Sequence, residues 1–109
     1  MAIPHAAPGQ AIDIRPLGPA IAGARTAALF KTDQIEVMRL VLAAGKSVPA
    51  HKVAGEITIQ CLEGKIEIMA SGRSQVLCAG ELLYLSGGVP HSLLAIEDSS
   101  ALVTIVLAG

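Results

Sequence analysis

Residues 45–64 read GKSVPAHKVAGEITIQCLEG. Two turn signals, VAGE at 53–56 and LEGK at 62–65, bracket ITIQCL, a short run rich in β-branched and aliphatic residues. Such a run between turn signals reads as a strand, and residues of equal parity on a strand share a face. Ile57, Ile59 and Cys61 therefore line one side, with Thr58 and Gln60 on the other. Without an intervening bulge, His51 and Val53 fall on the same side as Ile57, while Lys52 and Glu56 fall outside. This stretch predicts an aliphatic wall that carries one imidazole.

The pattern extends along the chain. Turn signals recur at KTDQ (31–34), AAGK (43–46), ASGR (70–73), CAGE (78–81), LSGGVP (85–90) and IEDSS (96–100). Between them lie short aliphatic segments, and none sustains helical spacing with caps. Regular short strands of this kind predict an all-β sandwich or barrel. KIEIM at 65–69 alternates, with Ile66 and Ile68 inward and Lys65 and Glu67 outward. IEVMRLVL (35–42) and ELLYLS (81–86) are apolar on both parities. Strands of that type are covered on both sides, here by a second sheet and by an arm or a partner subunit, which predicts a homodimer. Residues 1–24 are rich in Ala, Pro and Gly and read as an arm with a short strand near Ile12–Ile14. The whole of 1–109 is then one domain, with 25–109 forming the barrel.

Composition narrows the function. Half of the residues (52%) are hydrophobic, yet there is one Phe, one Tyr and no Trp, so any pocket is aliphatic. A net charge of −1 with scattered Lys and Arg offers no footprint for nucleic acid, and aromatics for base stacking are lacking. No apolar run approaches the ~20 residues that span a bilayer, and the start of the chain does not read as a signal peptide. A cytoplasmic location is the expectation. Cys61 and Cys78 lie in apolar runs and are expected as two buried free thiols, because a domain of this size needs no bridge.

Two motifs, about 15 residues apart, now resemble the paired motifs of the cupin family. GKSVPAHKV followed by ITIQCLEG is similar to the first, in which a glycine, His-x-His, a glutamate and a second glycine recur. GELLYLSGGVPHSLLA (80–95) is similar to the second, with its glycine, Pro-x-Gly, histidine and asparagine. Gly45, His51, Gly64, Gly80, Gly88 and His91 hold family positions. Val53 stands for the second histidine, Ile57 for the glutamate, Ser86 for the proline and Ala95 for the asparagine. The resemblance implies a small jelly-roll barrel, the double-stranded β-helix of cupins. It also implies a site for a divalent transition metal (Zn, Ni, Fe, Mn or Cu), of whose ligands His51 and His91 remain.

Three functions follow. The first is small-molecule binding in a pocket lined by Val53, Ile57, Ile59 and Cys61, its two-His metal site reduced or lost. The second is a metal-dependent oxygenase or isomerase with the ion on His51 and His91. The third is metal-free proton transfer by the histidine pair, for which no inward Asp or Glu is evident to orient either ring. No catalytic residue is assigned. Glu56 reads as an exposed turn-end carboxylate, Tyr84 as a packed strand residue, Met38 and Met69 as core filler, and His5 as surface.

Overall fold

The computed structural model describes residues 5–107, which fold as two antiparallel sheets packed face to face. Nine strands are formed: β1 (Ala27–Lys31), β2 (Ile35–Leu42), β3 (Ser47–His51), β4 (Ile57–Glu63), β5 (Lys65–Ala70), β6 (Arg73–Cys78), β7 (Leu82–Leu85), β8 (His91–Ala95) and β9 (Ser99–Val106). One sheet has the order β1-β2-β9-β4-β7 and the other β3-β8-β5-β6. The all-β jelly-roll expectation is met. Among the described residues no helix is long and apolar enough to cross a membrane.

Parity places the core as the alternation predicts. Ile57, Ile59 and Cys61 of β4 are buried with Ala101 and Val103 of β9. They face Ile66 and Ile68 of β5, Leu77 of β6 and Leu93 of β8. Within the five-stranded sheet, Met38, Val103, Ile59 and Leu83 stand in one cross-strand row. Each buried Ile or Leu contributes about 1.5–3 kcal/mol by leaving water. With few rings to fill the volume, this branched aliphatic layer is the interior.

The outer face of β2 is covered by the chain's own arm. Arg39 is buried there, and its guanidinium donates to the carbonyl of Arg15 (2.9 Å) and the carbonyl of Asp13 (3.1 Å). No strand forms at Ile12–Ile14; the carbonyls of Asp13, within this stretch, and of Arg15, just after it, are held by a side chain and not by a ladder. A short 3-10 turn, Gly18–Gly23, follows instead. The arm's second anchor is Glu63, whose carboxylate accepts the amides of Leu17 (2.8 Å) and Gly18 (3.0 Å) and the Ser100 hydroxyl. The outer face of β7 is different. Leu82 is 63% exposed and Tyr84 69% exposed on this edge strand, so Tyr84 is not packed as expected. Met69, expected in the core, also points outward and is exposed, because it has the opposite parity to Ile66 and Ile68.

Burial pushes the Glu63 carboxyl upward, but the Ser100 hydroxyl, the two arm amides and the Arg39 charge outweigh it and hold it below its ordinary range. A lowered carboxyl pKa stabilises the fold above the ordinary value, about 4.3, and that contribution is lost as pH falls through the lower folded value. Glu63→Gln is therefore expected to cost about 1–3 kcal/mol at neutral pH, with the gap to wild type closing in acid. Urea unfolding at pH 7 and pH 3 checks the sign, and amide exchange at Leu17 and Gly18 reports the arm.

Candidate functional site

Register brings the two predicted histidines together. His51 ends β3, His91 begins β8, and the two are direct cross-strand partners. Their ring centroids lie 4.4 Å apart with planes tilted by 54°. A bulge between Val48 and His51 re-aims the end of β3. His91 is buried and His51 exposed, so the pair spans the boundary between the barrel interior and solvent.

Each imidazole is oriented by backbone. His51 Nδ1 lies 3.0 Å from the Pro49 carbonyl oxygen, and His91 Nδ1 lies 3.0 Å from that of Val89. A carbonyl only accepts, so both Nδ1 atoms carry hydrogen and both Nε2 atoms keep a free lone pair in the neutral ring. The orienting carboxylate that the sequence lacks is replaced by two carbonyls, each two residues upstream. Only the folded loops could reveal this.

Those loops clasp one another. The Gly88 amide donates to the Val53 carbonyl at 2.7 Å, tying the β7–β8 loop to the β3–β4 loop. Gly87 lies so close to the Ala54 carbonyl that a side chain there would collide with backbone. SGGVPH is thus spaced to deliver His91 beside His51.

The row of partners continues across the sheet. His91 pairs Ala70 of β5, and Ala70 pairs Arg73 of β6, giving the order His51, His91, Ala70, Arg73. The next row inward is Val48, Leu93, Ile68, Gln75, and the last holds Ala95, Ile66 and Leu77. Directly opposite residues share a face, so all three rows look into the barrel. Leu77 is buried whereas Gln75 and Arg73 are exposed, so the barrel opens toward the histidine row. A cavity of about 300 Å³ opens between the edge strands β6 and β7, lined by Ile68, Ala70, Ser71, Arg73 and Gln75 and by Leu82, Leu83, Tyr84 and Leu85; neither histidine lines it. Arg73 and Gln75 were not singled out in the sequence. The signal was ASGR: a two-residue turn pairs the residues that flank it, which sets Arg73 opposite Ala70.

The other candidates lie as follows. Val53 packs partly buried against the core, beside the histidines in the β3–β4 loop. Ile57 and Ile59 are core residues on the wall facing the histidine sheet. Cys61 lies toward the opposite end, since β4 runs from the loop after His51 down to the Gly64 turn. Its thiol is raised by burial and donates to the Glu63 carbonyl at 3.4 Å, the behaviour of a small buried hydrophobe. Cys78 is free as expected but exposed, because it ends β6 next to a turn. Glu56 is exposed, as is His5.

Residues 38–107, more than half of the chain, match the Cupin_2 family, the cupin domain. The chain belongs to this family. Among solved structures the cupin resembles a conserved protein of unknown function from Streptococcus pyogenes, with TM-score 0.77 and 17% identity, covering 100% of this chain and 96% of that one. It is similar to a cupin superfamily protein from Desulfitobacterium hafniense DCB-2, with TM-score 0.76, 18% identity and coverage of 89% and 94%. It is also similar to the DMSP lyase DddQ from Ruegeria pomeroyi DSS-3, with TM-score 0.69, 20% identity and coverage of 85% and 52%. These likenesses concern the fold. No curated protein matches the sequence.

A cupin barrel implies a metal, and the donor set of this one does not fit it. Among the described residues no group of three His, Cys, Asp or Glu side chains is placed to hold an ion. Transition-metal sites take three or four protein ligands in most cases. Here Val53 and Ile57 occupy two of the family's ligand positions with hydrocarbon.

The loop clasp makes a prediction about glycine. Gly87→Ala is expected to destabilise the fold by about 1–3 kcal/mol, because backbone cannot yield to the new methyl. Gly23→Ala, with open space around it, is expected to be neutral or stabilising by up to about 1 kcal/mol. Thermal unfolding compares the two, and the imidazole NMR signals of His51 and His91 are expected to move only in the former.

Proposed function

We propose that this cupin binds a small organic molecule in the open end of its barrel, with His51 and His91 as the polar recognition element and no resident metal. The paired imidazoles carry the reading. Their Nδ1 atoms are spent on carbonyls, so two Nε2 positions are left to meet a ligand. An apolar cavity with a few convergent polar groups is the common form of a small-molecule site.

The competing reading is a divalent-metal enzyme, and the two free Nε2 atoms favour it, since imidazole with a pinned Nδ1 is a good metal ligand. The missing carboxylate and third imidazole count against it. Metal analysis of tag-free protein, wild type and His51→Ala, decides between them. The expected result is substoichiometric metal in both and no rise in melting temperature with added divalent ions. Stoichiometric metal lost in His51→Ala would overturn the proposal.

We also propose a homodimer, joined through the outer face of β7. Tyr84 and Leu82 stand there in rows with Thr58 and Thr104 and with Gln60 and Leu102. Exposed apolar residues grouped in this way mark interaction surfaces. Light scattering is expected to give a dimer for wild type and a monomer for Tyr84→Lys, the barrel melting almost unchanged.

A further inference from the structure

The histidine row ends on a cation. Arg73 stands two strands from His91, about 10 Å away at normal strand spacing, with only the Ala70 methyl between them. Its position is imposed by the hairpin: Ser71 and Gly72 both have positive φ (53° and 72°), the signature of a two-residue turn that locks Ala70 opposite Arg73. Gln75, one row deeper on the same strand and face, lines the same cavity as Arg73.

Arg73 forms no ion pair among the described residues. Glu67, the acidic residue of the neighbouring strand, has outward parity and bonds with Ser74, also outward. Across the cavity β7 contributes only Leu82, Leu83, Tyr84 and Leu85, so no carboxylate faces the guanidinium from that wall. The cavity is thus lined by hydrocarbon, the Ser71 and Tyr84 hydroxyls, one amide and one permanent cation with its hydrogen-bonding fork unclaimed.

We infer that Arg73 and Gln75 form an anion subsite and that the ligand of this cupin is a small monocarboxylic acid with a hydroxyl group at its far end. The carboxylate takes the two-pronged guanidinium and the Gln75 amide hydrogens. The aliphatic body crosses Ala70 and lies against Ile68, Leu83 and Leu85. The far oxygen extends beyond the cavity along the row, past Ala70, toward the imidazoles, where a hydroxyl donates to a free Nε2. A single guanidinium neutralises one carboxylate and leaves a doubly charged phosphate uncompensated, which favours the acid. This assignment rests on the small-molecule reading above and gives it a substrate class.

The test uses 4-hydroxybutyrate, 5-hydroxypentanoate, the neutral amide of each, and inorganic phosphate, titrated into full-length wild type, Arg73→Gln, Arg73→Lys and His51→Ala. Amide NMR shifts are followed throughout. Arg73 is exposed and unpaired, so its variants are expected to keep the wild-type spectrum outside the site. The expected result is carboxylate-dependent shifts at Ala70, Arg73 and Gln75. Arg73→Gln should weaken affinity about 10- to 100-fold, Arg73→Lys less, and the amides should bind poorly to every form. Equal binding of acids and amides, lost in His51→Ala but kept in Arg73→Gln, would overturn the anion subsite and leave the small-molecule reading standing. Stronger binding of phosphate than of either acid would overturn the carboxylate assignment. Shifts from no probe at the histidine row would overturn both readings.

Discussion

The ladder that joins β8 to β3 on one edge and to β5 on the other is the constraint on which the site depends. A strand presents every second residue to one face, and antiparallel partners share that face. His91, Leu93 and Ala95 are therefore interior together, and each draws its row-mates with it. A slip of one residue in β8 would turn His91 and Leu93 to the opposite face and put Ser92 and Leu94 in their place. The register is held at both ends of the row, by the glycine-tight clasp of the β3–β4 and β7–β8 loops and by the two-residue turn at Ser71–Gly72.

The rest of the fold serves that register by filling the interior without rings. Branched aliphatic residues from both sheets interdigitate behind the histidine row, and the open end carries the polar side chains of His51, Arg73 and Gln75. The arm closes the opposite flank of the five-stranded sheet. It is tied by charge-assisted bonds from Arg39 and to Glu63, not by a ladder, which suits a segment rich in Pro and Gly. One sheet face is thereby covered within the chain, and Leu82 and Tyr84 of β7 are the most exposed of the large apolar residues among those described.

Much of this was legible in advance, for a stated reason. Period-two alternation and turn spacing are local, so the all-β architecture and the inward set Ile57, Ile59 and Cys61 could be read along the chain, whereas the nearness of His91 to His51 was implied only by the family resemblance. The misreadings have two causes. Tyr84 lies on an edge strand whose outer face is left open, which no local pattern shows. The outward parity of Met69 and the CAGE turn at Cys78 were local signals, outweighed in the reading by the apolar or soft character of the two residues. Ile12–Ile14 resembles a strand in sequence, whereas in the fold the Arg39 side chain holds the carbonyls of Asp13 and Arg15.

The sequence by itself determined the chemistry available: two imidazoles in the motif positions, hydrocarbon at Val53 and Ile57 where further ligands would stand, and an almost ring-free core. Tertiary structure decided how that chemistry is arranged. It placed His51 against His91, oriented each ring on a backbone carbonyl, and set Arg73 at the end of the same row. Those relations join residues up to 40 positions apart, from His51 to His91. Strand pairing across loops, and not any neighbour along the chain, brings them together.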